Sequence, residues 1–197
     1  MKSDNFYDSC IRFALCEMLH SQEKGENDSV IIEELGLCRG KSRVDIALVN
    51  GIMHGFEIKS DRDSLTRLPQ QCEMYSRIFD KTTLVVGSRH CNKALSLIPE
   101  WWGVLRVVQG DVGPNFIRER AEKLNPGRDS RAIVELLWLD EAIRALEERN
   151  AVRGVRSKPR KMVWDRVCEI LSIDEISVIV RERLRVRKGG LRLQPSL

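Results

Sequence analysis

Apolar residues switch between helical and strand spacing along the first half of the chain. Ile11, Leu15, Met18 and Leu19 recur at three- and four-residue intervals, which predicts a helix over about Tyr7–His20, with Gly25 beyond its end. Three short β-rich runs follow, Ser29–Leu37, Val44–Val49 and Ile52–Lys59. The last two are joined through Asn50-Gly51, a strong two-residue hairpin signal. Leu65–Phe79 reads as a second helix, capped by Asp63 or Ser64 and limited at its start by Pro69. Thr82–Val86 reads as a fourth strand, Lys93–Ile98 as a short helix and Val104–Val108 as a further strand. The expected order is α-β-β-β-α-β followed by α-β.

The second half changes character. Asp111–Arg128 is polar and broken by Gly113-Pro114 and Pro126-Gly127, which predicts a boundary. Ser130–Asn150 then reads as one amphipathic helix and Lys161–Leu171 as another, and Ser172-Ile173-Asp174-Glu175 as the cap of a last one. Two helices across a short turn resemble a helix-turn-helix, although many such hairpins bind nothing. The tail after Lys188 is expected to fray. The chain therefore divides into a core at 1–110, a linker at 111–129 and a basic helical extension at 130–197.

Composition narrows the classes. Of 197 residues, 42% are apolar, enough to bury a core, and the 31% that are charged are of mixed sign, which argues against disorder. The net charge of +4 hides an asymmetry. Residues 151–197 hold 12 Lys/Arg against 5 Asp/Glu, leaving 21 against 24 elsewhere. A basic end on a mildly acidic body suggests a polyanionic partner; the plain alternative is a solvated tail. Six cysteines and three histidines include no Cys-x-x-Cys pair, so zinc and iron–sulfur spacings are missing. The first ten residues lack the apolar run of a signal peptide, and no stretch has the length of a membrane span. The expectation is a cytoplasmic protein with free thiols.

The chemistry concentrates in Arg43-Val44-Asp45-Ile46-Ala47-Leu48 and Phe56-Glu57-Ile58-Lys59. Strand residues two apart point to one side, so Glu57 and Lys59 share a face while Phe56 and Ile58 face the other layer. A hairpin that pairs the two strands brings Asp45 beside them. Two carboxylates and an ammonium among apolar strands are costly unless they bind something. A magnesium ion meets that need, because it takes carboxylate oxygens and keeps water and phosphate as further ligands. The plain alternative puts Glu57 and Lys59 on an exposed edge strand, with Asp45 paired to Arg43 or Lys59.

These residues resemble a known family. The α-β-β-β-α-β order, with Asp45 on the second strand and Glu57-Ile58-Lys59 on the third, is similar to the PD-(D/E)xK nuclease superfamily over about Tyr7–Val86, with Val44 in place of the signature proline. Gln71-Cys72-Glu73-Met74-Tyr75 resembles the Q-x-x-x-Y motif of RecB-like exonucleases, and the run from Glu57 to Asp80 looks like a group of small bacterial proteins assigned to the superfamily. The resemblance implies an α/β, restriction-endonuclease-like αβββαβ core, a mixed sheet flanked by helices, with the C-terminal helices appended. It implies Asp45, Glu57, Lys59 and Gln71 as catalytic residues. Mg²⁺ or Mn²⁺ would be held by Asp45, Glu57 and the Ile58 carbonyl, with Glu17 or Glu34 as an extra acid.

Arg67, Gln71 and Tyr75 fall at four-residue spacing and form one helical stripe, so Arg67 and Tyr75 are expected on backbone phosphates. Arg156, Lys158, Arg160 and Lys161 in the basic end are expected to do the same. His54 is a candidate for the rim of the site, and Trp101-Trp102 for base stacking or core packing. The expected function is a metal-dependent nuclease acting on DNA before RNA, in repair, recombination or defence. The alternative is a non-catalytic nucleic-acid-binding or regulatory protein on the same fold. A homodimer is compatible with either, and no membrane partner is expected.

Overall fold

The structure, a computed structural model, describes residues 6–23 and 29–191. Helix α1 (Asp8–Gln22) is followed by strands β1 (Val30–Leu37), β2 (Ser42–Val49) and β3 (Met53–Lys59), helix α2 (Leu68–Ser76), strand β4 (Lys81–Gly87), the short helix α3 (Cys91–Leu95), and strands β5 (Gly103–Gln109) and β6 (Pro114–Arg120). Four helices close the chain: α4 (Ser130–Val134), α5 (Leu139–Glu147), α6 (Arg160–Ile170) and α7 (Ile173–Leu191). The strands form one mixed sheet in sequence order. β1, β2 and β3 pair antiparallel, β3–β4 and β4–β5 pair parallel, and β5–β6 is antiparallel. The αβββαβ order and the helical C-terminal part are as the pattern predicts, and the mixed sheet with helices on its faces is as the resemblance implies.

Alternation along the strands builds two apolar layers. Ile46, Leu48, Phe56, Ile58, Val85 and Leu105 pack under Ile11, Leu15 and Leu19 of α1. The other face carries Ala47, Val49, Met53, Leu84, Val86 and Val104, covered by α2 and, without interruption, by α4–α7. Gly55 in β3 lets this layer close, because a Cβ there would stand 2.8 Å from the Phe79 ring.

The structure corrects several expectations. The segment 111–129 is not a free linker: Pro114–Arg120 completes the sheet as β6. Lys123 and Asn125 then bond the backbone of Trp101 and Asp80, and the Asn125 side chain bonds Ser76 and Phe79. Its polar pattern marks an edge strand with few buried positions, which composition does not separate from a loop. The helix expected over Ser130–Asn150 is two helices. Asp129 caps α4 by accepting from the Arg131 and Ala132 amides. Glu141 reaches back to the Trp138 amide at 2.8 Å, which starts α5 afresh.

Asp63 and Ser64 do not cap α2. Asp63 instead accepts from the amide and hydroxyl of Ser60, and Arg67 occupies the N-cap without a side-chain bond. Pro69 sits in the first turn, where its missing N–H costs nothing. The turn after β2 spans Asn50–Ile52 rather than two residues, with the Asn50 side chain accepting from the Ile52 amide. The cap of α7 is as read, with Ser172 and Glu175 exchanging bonds. α7 runs to Leu191, and the end of the expected frayed tail, 192–197, lies outside the described residues.

Candidate active site

Asp45 and Glu57 meet because β2 and β3 part company at one end. Their ladder runs from Val49–Met53 to Ile46–Phe56 and stops there. Beyond it, Asp45 takes over as partner: its Oδ2 accepts the Ile58 amide at 2.7 Å. The N–H and C=O of one strand residue project to the same edge, so the Ile58 carbonyl faces the same gap. A cavity of about 460 Å³ opens there, lined by Asp45, Glu57, Ile58, Lys59 and Gln71 among others.

Glu57 and Lys59 are not edge-strand residues. β3 lies between β2 and β4, and they are only 2% and 6% exposed. Lys59 Nζ and Gln71 Nε2 both donate to Glu57 Oε1. Tyr75 shares its single hydroxyl proton between Glu57 Oε2 at 2.6 Å and the Arg43 carbonyl at 2.7 Å. Burial pushes the Glu57 carboxyl above the usual range and the neighbouring Asp45 charge adds to this, against Lys59 and Tyr75. Burial raises Asp45 as well, opposed by the Ile58 amide, Arg12 and Lys59. The buried Glu57 and half-buried Asp45 carboxyls, both displaced toward the proton, form a pair that still favours added positive charge.

The donor set suits a hard divalent cation. Two carboxylates and one backbone carbonyl leave room for water and a phosphate oxygen, the pattern magnesium prefers. Among the described residues no group of three or more His, Cys, Asp or Glu side chains is placed to hold a metal ion, so an ion here would rest on the two carboxylates and the carbonyl. Gln71 lines the same cavity, and its Oε1 is buried without a hydrogen-bond partner among the described protein groups.

The other predicted residues separate. Glu34 lines the cavity, whereas Glu17 is exposed and lines a different groove, with Phe13 and Val112. Arg67 lies exposed on the cavity wall. Tyr75 is not a phosphate contact. It is fully buried, stacked parallel on Trp102 with centroids 6.0 Å apart, and its hydroxyl is committed inward. Helical spacing puts it in line with Gln71 but does not reveal that the stripe dives beneath the sheet's end. Trp102 is also fully buried, which removes it from base stacking. His54 is not at the rim. It stacks on Phe56 at 4.1 Å and bonds Thr83, on the α1 face, and burial lowers its pKa to about 4.

The basic C-terminal residues are not in the cavity. Arg156 pairs with Glu147 and Lys161 with Asp165, while Arg160 lies over the Trp164 ring, 5.5 Å from its centroid. Lys158 is exposed. Sequence reasoning missed Arg12 and Lys41, which line the cavity from α1 and from the loop before β2, and saw Arg43 of β2 only as a partner for Asp45. Three consecutive left-handed residues, Cys38, Arg39 and Gly40, shape that loop, and such backbone clusters at functional sites.

Comparison with known proteins adds a family and several likenesses. A family model described as Bacteriophage P4 protein cII matches residues 1–189. Protein cII of Enterobacteria phage P4 is 34% identical over 107 residues, which are 54% of this chain and 40% of that protein. The match thus spans about two fifths of that relative's length. Among solved structures, SPO1766, a protein of unknown function from Silicibacter pomeroyi, is similar with a TM-score of 0.39 and 19% identity, over 67% of this chain and 84% of that one. SfsA of Pyrococcus furiosus, solved with Ca²⁺, is similar at 0.35 and 13%, over 64% and 67%.

Proposed function

The chain belongs to the bacteriophage P4 protein cII family, and we propose that it is a nucleic-acid-binding protein on a PD-(D/E)xK-like core whose cavity hydrolyses DNA phosphodiester bonds with a divalent metal ion. The observation that carries this reading is the convergence of Asp45, Glu57, Lys59 and Gln71, drawn from two strands and a helix, on one cavity. Asp45, Glu57 and the Ile58 carbonyl would hold Mg²⁺ or Mn²⁺. When bound, the metal supplies a water of lowered pKa and positive charge against the phosphate oxygens.

The protein's own groups do the rest. Lys59 keeps Glu57 oriented and presents an ammonium beside the site of attack, where it stabilises developing negative charge. Gln71 fixes Glu57 with its amide nitrogen. Tyr75 locks the second Glu57 oxygen. Lys41 and Arg67, both exposed on the cavity wall, bind backbone phosphates.

A second reading is a non-catalytic nucleic-acid-binding or regulatory protein on this fold. Membership of a family described as a phage protein cII is in keeping with it. So is the engagement of the carboxylates by protein groups: Asp45 by Arg12 and Ile58, Glu57 by Lys59, Gln71 and Tyr75. Cleavage of plasmid and of labelled single- and double-stranded DNA with Mg²⁺ or Mn²⁺, against a Lys59→Ala control, decides between them. Metal-dependent cleavage lost in the control upholds the nuclease. Tight DNA binding with no cleavage by the wild type upholds the regulator.

A further inference from the structure

Arg12 reaches the cavity from the opposite face of the sheet. Its Nη2 donates to Asp45 Oδ1 at 2.9 Å and to Asp8 Oδ2 at 3.1 Å. Its Nη1 donates to the Asp45 backbone carbonyl at 2.8 Å and lies 2.8 Å from Glu34 Oε1. The side chain is only 16% exposed. Glu34 stands opposite Asp45 in the β1–β2 register, where the ladder pairs Glu33 with Ile46 and Leu35 with Val44 and skips the position between. It is held there at a left-handed φ of 54°, with its other oxygen 3.1 Å from Arg43 Nη1. One guanidinium therefore sits between two carboxylates from neighbouring strands, at a place where a cation would lie.

We propose that Arg12 is a positioning residue that stands in for a cation between Asp45 and Glu34, holding divalent-ion affinity down and keeping Glu34 out of the ion's ligand set. This rests on the metal-site reading above. A guanidinium stays charged at any working pH. Here burial opposes its charge, but Asp45 and Asp8 outweigh burial and raise its pKa further. A divalent ion approaching Asp45 must compete for Oδ1 and meets a fixed positive charge at ion-pair distance. Arg12 also occupies one oxygen of Glu34 while Arg43 takes the other, so Glu34 is already paired on both oxygens. Arg12 acts through these two side chains.

Calorimetric titration of Mn²⁺ into the full chain without DNA tests this in four proteins: wild type, Arg12→Ala, Arg12→Lys and the Arg12→Ala/Glu34→Gln double variant. The Ala variant should bind Mn²⁺ roughly tenfold more tightly or better. The Lys variant, which keeps the charge, should stay near the wild type. Adding Glu34→Gln should remove most of the gain. If the Ala variant does not fold by circular dichroism, Arg12→Met keeps the stem's packing and carries the same expectation. Wild type that binds Mn²⁺ while the truncated variant binds equally or more weakly overturns the proposal and leaves the metal reading intact. Mn²⁺ bound by none of the proteins overturns both.

Discussion

The Asp45 carboxylate accepts the Ile58 amide at 2.7 Å, replacing the strand partner that β3 loses where β2 turns away. A side chain thus satisfies the backbone group that the sheet leaves unpaired and marks where the sheet opens into a cavity. Asp45→Ala should therefore do two kinds of damage. It orphans a buried N–H and takes one carboxylate from Arg12, so a stability loss of about 1–3 kcal/mol is expected in denaturant titration. Asp45→Asn, which keeps an acceptor for Ile58, should recover most of that loss but not the metal affinity measured by calorimetry.

Lys59 separates catalysis from structure. If it stabilises charge at the scissile phosphate, Lys59→Ala should retain metal in calorimetry and lose ~10²–10⁴-fold in single-turnover cleavage of a labelled duplex. Lys59→Arg should rescue poorly, because a planar fork holds its charge elsewhere. An Ala variant cutting at the wild-type rate would remove Lys59 from the mechanism.

The two raised carboxyls make metal stabilisation depend on pH. Asp45 and Glu57 have folded pKa values above their unfolded ones. The native state then binds more protons than the unfolded state between those values. Their contribution to stability is present at low pH and is lost as pH rises from the ordinary carboxylate value through the raised one. A divalent ion takes the proton's place, so Mg²⁺ should raise Tm at pH 8 and progressively less as pH falls into that window. Scanning calorimetry should show this dependence flattened in Glu57→Gln. An equal Mg²⁺ effect at all pH values in both proteins would place the ion elsewhere.

Tyr75 belongs to the interior, and its mutant should behave accordingly. Tyr75→Phe removes the donor to Glu57 Oε2 and the Arg43 carbonyl. The cost should be about 1–3 kcal/mol of stability, with no change in the salt dependence of DNA binding. A flatter salt slope would return Tyr75 to the phosphate-contacting set.

The cavity wall and the basic C-terminal part can be told apart by salt. Removing one phosphate-binding cation should flatten the slope of log K against log salt by roughly 0.9 for a duplex. Lys41→Ala and Arg67→Ala should each do so. Lys161→Ala should change it less, because Lys161 already pairs with Asp165 at 2.8 Å. Filter binding across a salt series measures all three, and the reverse ranking would move the DNA track to the helical part.

The grouping of Asp45, Glu57 and Lys59 was legible in the chain because it is local. Period-two alternation puts Glu57 and Lys59 on one face and Phe56 and Ile58 on the other, and the short turn at Asn50-Gly51 returns Asp45 to them. Strand and helix order follow from the same periodicities, and Ser172 with Glu175 announces α7 by its cap. The misses come from weak or global signals. β6 is an edge strand whose polar surface imitates a loop. Tyr75 shares Gln71's stripe, yet the end of α2 runs under Trp102, so burial and not spacing assigns its role. Arg12 lies 33 residues from Asp45 on the opposite layer. The ion pairs that tie Arg12 to Asp45 on β2 and Glu34 on β1 leave no periodic trace in any of the three segments. Sequence decides which groups each element carries and on which face; the tertiary structure alone decides which elements end early enough to let those groups meet.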